Sequence, residues 1–281
     1  MVTAYTPKNL REALVLRRSA GMIPFAGGTD LMVRGKTTPG ALPGFDAPVM
    51  FIGEIDELRQ IDLVGDRLVI GAACTLTQVL ENQYTPPLLK AAIGNMASVS
   101  IRNIATIGGN ICNASPAGDT LPPLYVHDAT VVLESYDNAR EVPIQSFVLN
   151  PGETTIAQDE LLTRIVIPLY DFDEVFYRKI GTRRAMALSK LSIAAAAKIS
   201  GGRVEDIRIA FGAVAPTVVR SRKAETIALG IEISRLADIF PRLEAEYLKL
   251  IRPIDDQRST AEYRRRTSLS LLRYFLTEVL R

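Results

Sequence analysis

Phe25-Ala26-Gly27-Gly28-Thr29-Asp30-Leu31 and Ala105-Thr106-Ile107-Gly108-Gly109-Asn110-Ile111 are the two stretches on which this chain turns. Each sets a Gly-Gly pair behind an apolar run and ahead of small polar residues. Paired glycines take positive φ and bring the backbone close to a ligand, because no Cβ intervenes. Successive amides freed in this way form an anion-holding nest, and Thr29, Thr106 and Asn110 add side-chain donors beside it. Two such loops suit two ends of one phosphate-containing cofactor, although either pair alone fits a tight turn as well. Asp30 beside a phosphate is tolerable only if its carboxylate turns aside or accepts amide hydrogens. Backbone donors must therefore dominate the first loop.

Common nucleotide signatures are absent. Neither loop fits Gly-x-Gly-x-x-Gly, and Gly-x-x-x-x-Gly-Lys-Ser/Thr occurs nowhere, which weakens a Rossmann or ATPase reading. A Gly-x-Ser-x-Gly elbow is also missing, and the single histidine, His127, leaves little room for a hydrolytic triad. His127-Asp128 reads as structural or surface. Cys74 and Cys112 are too few and too far apart for an iron–sulfur or structural zinc site. No metal site and no catalytic side chain is expected, so any hard chemistry falls to a cofactor.

Length and composition set the class. At 281 residues, with 47% hydrophobic and 23% charged, the chain reads as an ordinary globular protein of two or more domains. Its 33 Lys and Arg against 31 Asp and Glu argue against a nucleic-acid surface. Arg264-Arg265-Arg266 lacks interleaved aromatics and reads as surface or interdomain pairing. No apolar run is long enough to span a membrane, and Met1 to Arg11 carries no secretory pattern. A cytoplasmic location is the default expectation.

Local signals give the outline. Asn9 caps a helix through Ala20 whose apolar side is Leu10, Ala13, Leu14 and Leu16, and Gly21 ends it. Met22 to Ala26 and Val49 to Gly53 read as strands, and Gln60–Ile70 as a hairpin turning at Gly65-Asp66. Thr75 caps a helix towards Asn82, and Pro86-Pro87 opens another. Ala129–Glu134 with Arg140–Pro143 reads as a second hairpin, and Arg164–Ile167 as a strand. The alanine run Ala194–Ala197 predicts a helix over Leu188–Ile199. A strand follows around Ile207–Phe211, with helices near Ser221–Leu229, Ile233–Phe240 and Ser268–Arg281. The acidic stretch 170–174 reads as a linker, dividing residues 1–172 from 173–281. Lys179, Arg183 and Arg184 form a basic cluster beyond it, and Asp119 suits sugar hydroxyls or a turn equally.

In these residues the sequence resembles the FAD-binding medium subunit of the molybdenum hydroxylases, the xanthine dehydrogenase and carbon monoxide dehydrogenase family. The resemblance rests on Pro24 to Leu31, Ala105 to Ile111 and Asn113-Ala-Ser-Pro-Ala-Gly-Asp119. Tyr177-Arg-Lys-Ile-Gly-Thr-Arg-Arg184, Phe211-Gly-Ala-Val-Ala-Pro216 and Ala261-Glu-Tyr-Arg-Arg-Arg266 extend it in order along nearly the whole chain. It implies an α+β fold: a vanillyl-alcohol-oxidase or PCMH-type FAD-binding domain, then a smaller α/β domain of the CO dehydrogenase flavoprotein type.

The resemblance also implies a cofactor site. Pro24, Phe25, Ala26, Gly27, Gly28, Thr29, Asp30 and Leu31, with Thr106, Ile107, Gly108, Gly109 and Asn110, correspond to loops around the FAD diphosphate. Asp119 corresponds to an acid at the cofactor's sugar portion, Leu162 and Lys179 to positions near the flavin. Met96 falls where some relatives place an aromatic ring, and a thioether fills that space without stacking in the same way. The molybdopterin cofactor and [2Fe–2S] clusters are implied on partner chains, a large molybdenum subunit and a small iron–sulfur subunit. FAD here would gather their electrons and pass them to NAD or another acceptor. A self-contained flavin oxidoreductase, or a structural subunit that has lost FAD, are the competing readings.

Overall fold

The computed structural model describes residues 3–34, 44–183 and 186–281. Its first elements are β1 (Ala4–Tyr5), α1 (Leu10–Ala20), β2 (Ile23–Phe25), α2 (Leu31–Arg34) and β3 (Val49–Phe51). β4 (Ile61–Val64), β5 (Arg67–Gly71), α3 (Leu76–Glu81), α4 (Pro87–Gly94), α5 (Val99–Arg102), α6 (Ile107–Cys112) and α7 (Leu121–Val126) follow. Next come β6 (Thr130–Glu134), β7 (Ala139–Pro143), α8 (Ile144–Phe147), β8 (Val148–Asn150), β9 (Glu153–Thr154) and β10 (Leu161–Pro168). The rest is β11 (Glu174–Ile180), β12 (Leu191–Ser200), β13 (Arg203–Gly212), β14 (Val219–Arg220), α9 (Arg222–Ala228), α10 (Leu236–Leu248) and α11 (Ala261–Tyr274). A π-helical segment, Phe275–Val279, continues α11.

These elements form two compact units, and neither is one continuous stretch. The first comprises residues 1–85, 97–114 and 129–168; the second comprises 86–96, 115–128 and 169–281.

In the first unit, β1, β3 and β2 make a small parallel sheet. Asn9 accepts the Glu12 amide and Gly21 closes α1 at φ +56°, as the capping residues predict. The buried side of α1, Ala13 and Leu14, packs with Met22, Met50, Ile52, Ile55, Leu58, Ala73 and Leu161. A five-stranded antiparallel sheet in the order β4-β5-β10-β6-β7 forms the other half of this unit. At Gly71, the last residue of β5, a Cβ would fall 2.2 Å from the Leu58 carbonyl oxygen, so the close approach requires glycine. The chain then enters α3 through Thr75, whose capping box with Gln78 is complete.

The second unit is built on the antiparallel sheet β11-β12-β13-β14. α4 and α7 lie against this sheet. Its apolar residues also form one core with α9, α10 and α11, including Leu191, Ile193, Phe211, Leu243, Tyr247 and Leu272. The sequence predicts a helix over Leu188–Ile199, and the structure corrects it: Leu191–Ser200 is the central strand β12. Ala195 and Ala197 enter the helical core while Ala194 and Ala196 alternate to the other face, and all four are fully buried. A strand covered on both faces reads as a continuous apolar run, and tertiary packing overrides the helical preference of alanine. The last helix also differs from its predicted start at Ser268, beginning at Ala261 behind the Thr260 cap.

Candidate functional site

Within the first unit both glycine loops line one cleft of about 300 Å³. The first loop leaves β2 and turns at Gly28, where φ is +67° and a Cβ would fall 2.1 Å from the Phe25 ring. A Cβ at Gly27 would lie 2.1 Å from the Ile104 carbonyl oxygen. The two loops therefore touch backbone to backbone. Among the described residues, the amides of Gly27, Gly28 and Thr29 make no hydrogen bond, and all three residues face the cleft. Buried or half-buried amides without partners favour an acceptor.

The second loop is arranged differently. Thr106 caps α6 by accepting the Gly109 amide at 3.1 Å. The Ile107 and Gly108 amides donate to the Cys74 and Ala72 carbonyls at 3.0 and 2.9 Å, and Asn110 N donates to Thr106 O. Its leading amides are thus spent on the protein, contrary to the equal nest its sequence suggests. Gly108 serves packing, since a Cβ would sit 2.6 Å from Ala72 O. A Cβ at Gly109 would meet only the Thr106 hydroxyl, at 2.9 Å. Thr106, Gly109 and Asn110 line the cleft, and Ile107 is buried behind it.

Asp30 behaves as the electrostatic argument requires. Its carboxylate accepts the Asn113 side-chain amide at 2.7 Å. Pro24, Ala26 and Leu31 border the same cleft, Phe25 supports Gly28 from below, and Leu162 closes one wall. Two further wall residues, Arg17 and Asn113, escaped the sequence reading as ligand-facing groups.

Met96, Asp119 and Lys179 belong to the second unit. Period-two alternation puts Tyr177 and Lys179 on one face of β11. Lys179 Nζ donates to Asp119 at 2.6 Å and to the Asn95 carbonyl at 3.2 Å. The other Asp119 oxygen accepts Tyr177 OH at 3.0 Å and Ser189 Oγ at 2.6 Å. Burial, reinforced by the Asp119 charge, pushes the Tyr177 phenol well above its ordinary pKa, so it stays a donor. Asp119 is therefore the acceptor of a buried polar cluster. Met96 is buried beside α4. Arg183 turns onto the Met186 carbonyl, and Arg184 lies outside the described residues. His127 is buried against Tyr170 and Phe172, in keeping with a structural role. Of the three arginines at 264–266, Arg264 is buried on Asp256 at 2.7 Å and the other two are exposed.

Comparison with known proteins gives two family matches. Residues 1–170 match the FAD binding domain in molybdopterin dehydrogenase, and residues 176–279 match the CO dehydrogenase flavoprotein C-terminal domain. The chain is 33% identical over 222 residues to the xanthine dehydrogenase FAD-binding subunit of Escherichia coli O157:H7, covering 77% of this chain and 75% of that one. It is 30% identical over 262 residues to the glyceraldehyde dehydrogenase medium chain of Sulfolobus acidocaldarius, covering 92% and 91%. A chain of carbon monoxide dehydrogenase from Hydrogenophaga pseudoflava superposes with a TM-score of 0.90 at 27% identity, covering 99% of this chain and 96% of that chain. Among the described residues, no helix is long and apolar enough to cross a membrane.

Proposed function

Because the chain belongs to the family of the FAD binding domain in molybdopterin dehydrogenase, we propose that it is the FAD-carrying electron-transfer subunit of a multisubunit molybdenum hydroxylase. The observation that carries this reading is the cleft built by both glycine loops, with three open amides on one wall. That cleft fits FAD on its own chemistry. Backbone donors suit a diphosphate, the Asp30 charge is held on Asn113, and Gly27 and Gly28 leave no room for a side chain.

Bound FAD supplies one-electron acceptance and onward two-electron transfer. The chain's own residues bind and orient it. Gly27, Gly28 and Thr29 would donate to the diphosphate, Thr106, Gly109 and Asn110 would line the cleft around it, and Leu162 would shield it from water. Met96, Asp119 and Lys179 enter the proposal through the family's motifs, as residues of the second unit. There the Lys179–Asp119 pair holds a fixed charge arrangement. No side chain acts as a covalent nucleophile. The matched segments support a division of the sequence into 1–172 and 173–281.

These 281 residues hold two cysteines and one histidine, fewer than the four ligands a [2Fe–2S] cluster takes. We therefore assign the clusters to a small partner subunit, and from the family match we assign the molybdopterin cofactor to a large one. NAD or another acceptor takes the electrons. A cytoplasmic location accords with two unbridged cysteines. The test is the visible spectrum of the gently purified chain, with identification of the cofactor released on denaturation. Flavin bands and released FAD, with no iron–sulfur absorption, are expected. A chain that is colourless and takes up no added FAD refutes the proposal.

A further inference from the structure

The apolar stripe of α1 runs through Leu10, Ala13 and Leu14, and the next position on that stripe is Arg17. Arg17 is half-buried and lines the cleft of the glycine loops. Its Nε donates to the Glu160 carbonyl at 3.2 Å and its Nη1 to the Met22 carbonyl. Among the described residues Nη2 makes no hydrogen bond and the guanidinium makes no ion pair. Asp159 acts on it only through space. Two carbonyl dipoles orient a guanidinium but do not cancel its charge, and a charge removed from water without a counter-ion is costly.

Among the described residues, the same cleft carries further positive groups, Arg34 and open amides, against one carboxylate, Asp30. The amides of Gly27, Gly28 and Thr29 are open, and the Asp30 carboxylate is engaged by Asn113. Arginine held by two fixed bonds is pre-organised for a planar or tetrahedral oxyanion. We infer that Arg17 is the fixed counter-charge by which this cleft selects a diphosphate ester over an uncharged nucleoside. The inference deepens the FAD reading and rests on it.

The experiment uses the full chain stripped of flavin, with FAD, ADP and adenosine as separate probes in calorimetric titrations. The native chain is expected to bind ADP at least tenfold more tightly than adenosine. Arg17→Met should cut that ratio several-fold, leaving the share that the open amides supply, while Arg17→Lys, which keeps charge without the fork, retains more of it. Circular dichroism and melting establish that each variant is folded. If Arg17→Met does not fold, Arg17→Lys together with Arg17→Gln decides the matter by the same ratio. A folded uncharged variant whose ADP-to-adenosine ratio is unchanged overturns the inference, whether its affinities are native or have fallen equally for both. A native chain that binds FAD but shows no preference for ADP overturns it while leaving the FAD reading intact. Failure of the native chain to bind FAD at all removes the FAD reading instead.

Discussion

The Asn113 side-chain amide donates to the Asp30 carboxylate at 2.7 Å, tying the end of the second glycine motif to the first. Asp30 follows the open amides of Gly28 and Thr29, so a carboxylate swung into the cleft would repel the phosphate those amides favour. Asn113→Ala is expected to weaken FAD binding about tenfold, or about 1.4 kcal/mol. Adding Asp30→Asn should recover most of it. Fluorescence titration of the flavin-free chain reads both. Unchanged affinity in Asn113→Ala would place the Asp30 charge outside the phosphate's field.

Gly108 and Gly109 are adjacent yet carry different duties. A methyl at Gly108 meets Ala72 O at 2.6 Å and Ala72 Cβ at 2.7 Å. Gly108→Ala should therefore lower unfolding stability by about 1–3 kcal/mol through overpacking. Gly109→Val instead crowds the cleft and the Thr106 cap, so it should impair FAD retention tenfold or more with a stability loss nearer 1 kcal/mol. Denaturant titration and flavin content of the two variants separate the roles. Equal behaviour of the pair would refute the division.

What the sequence revealed follows from locality. Asn9, Thr75, Ser221 and Gly21 announce their helix ends because capping is decided within a few residues. The hairpins at Gly65 and Asn138 are equally local. The alanine run misled because burial on both faces of β12 is set by helices far away in sequence. The Ile107 and Gly108 amides are likewise spent on carbonyls of residues 72 and 74, which no local pattern discloses. Arg17 was detectable, since a charge at the fourth position of an apolar stripe marks a buried task. The partners of Asp119, at 177 and 179 on β11 and at 189 ahead of β12, are distant in sequence, and no local pattern discloses them.

Lys179 and Asp119 make a buried pair, with side chains 9% and 8% exposed. Removing one member leaves the other charge without compensation, at a cost of about 3–5 kcal/mol. Asp119→Ala should therefore lower the melting temperature as well as flavin content. The double variant Asp119→Leu with Lys179→Met should regain only part of the stability: neither charge is then buried, but the Tyr177 and Ser189 hydroxyls lose their acceptor. Thermal melts of the three proteins decide this. If the double variant is no more stable than Asp119→Ala alone, the pair's charge balance is not what holds the cluster.

Glu160 links the start of β10 to β7, receiving Arg140 Nε at 2.6 Å and Nη2 at 2.8 Å, with the Ala157 amide at 2.8 Å. The Arg140 hydrogen bonds hold its carboxyl below the usual 4.5, against the opposing pull of burial, and Ala157 adds to the effect. A carboxylate depressed in the folded state stabilises fully above its unfolded pKa, and that contribution is lost as pH falls through the lower folded value. The melting temperature should fall as pH is lowered from about 5 towards 3. In Glu160→Gln the protein starts less stable and this part of the slope is gone. Because the Glu160 carbonyl also receives Arg17, the variant should keep its flavin site at neutral pH, where the main-chain contact is unaltered. Parallel melts and flavin-content measurements between pH 3 and pH 7 check both halves. A slope identical to that of the native chain would refute the assignment to Glu160.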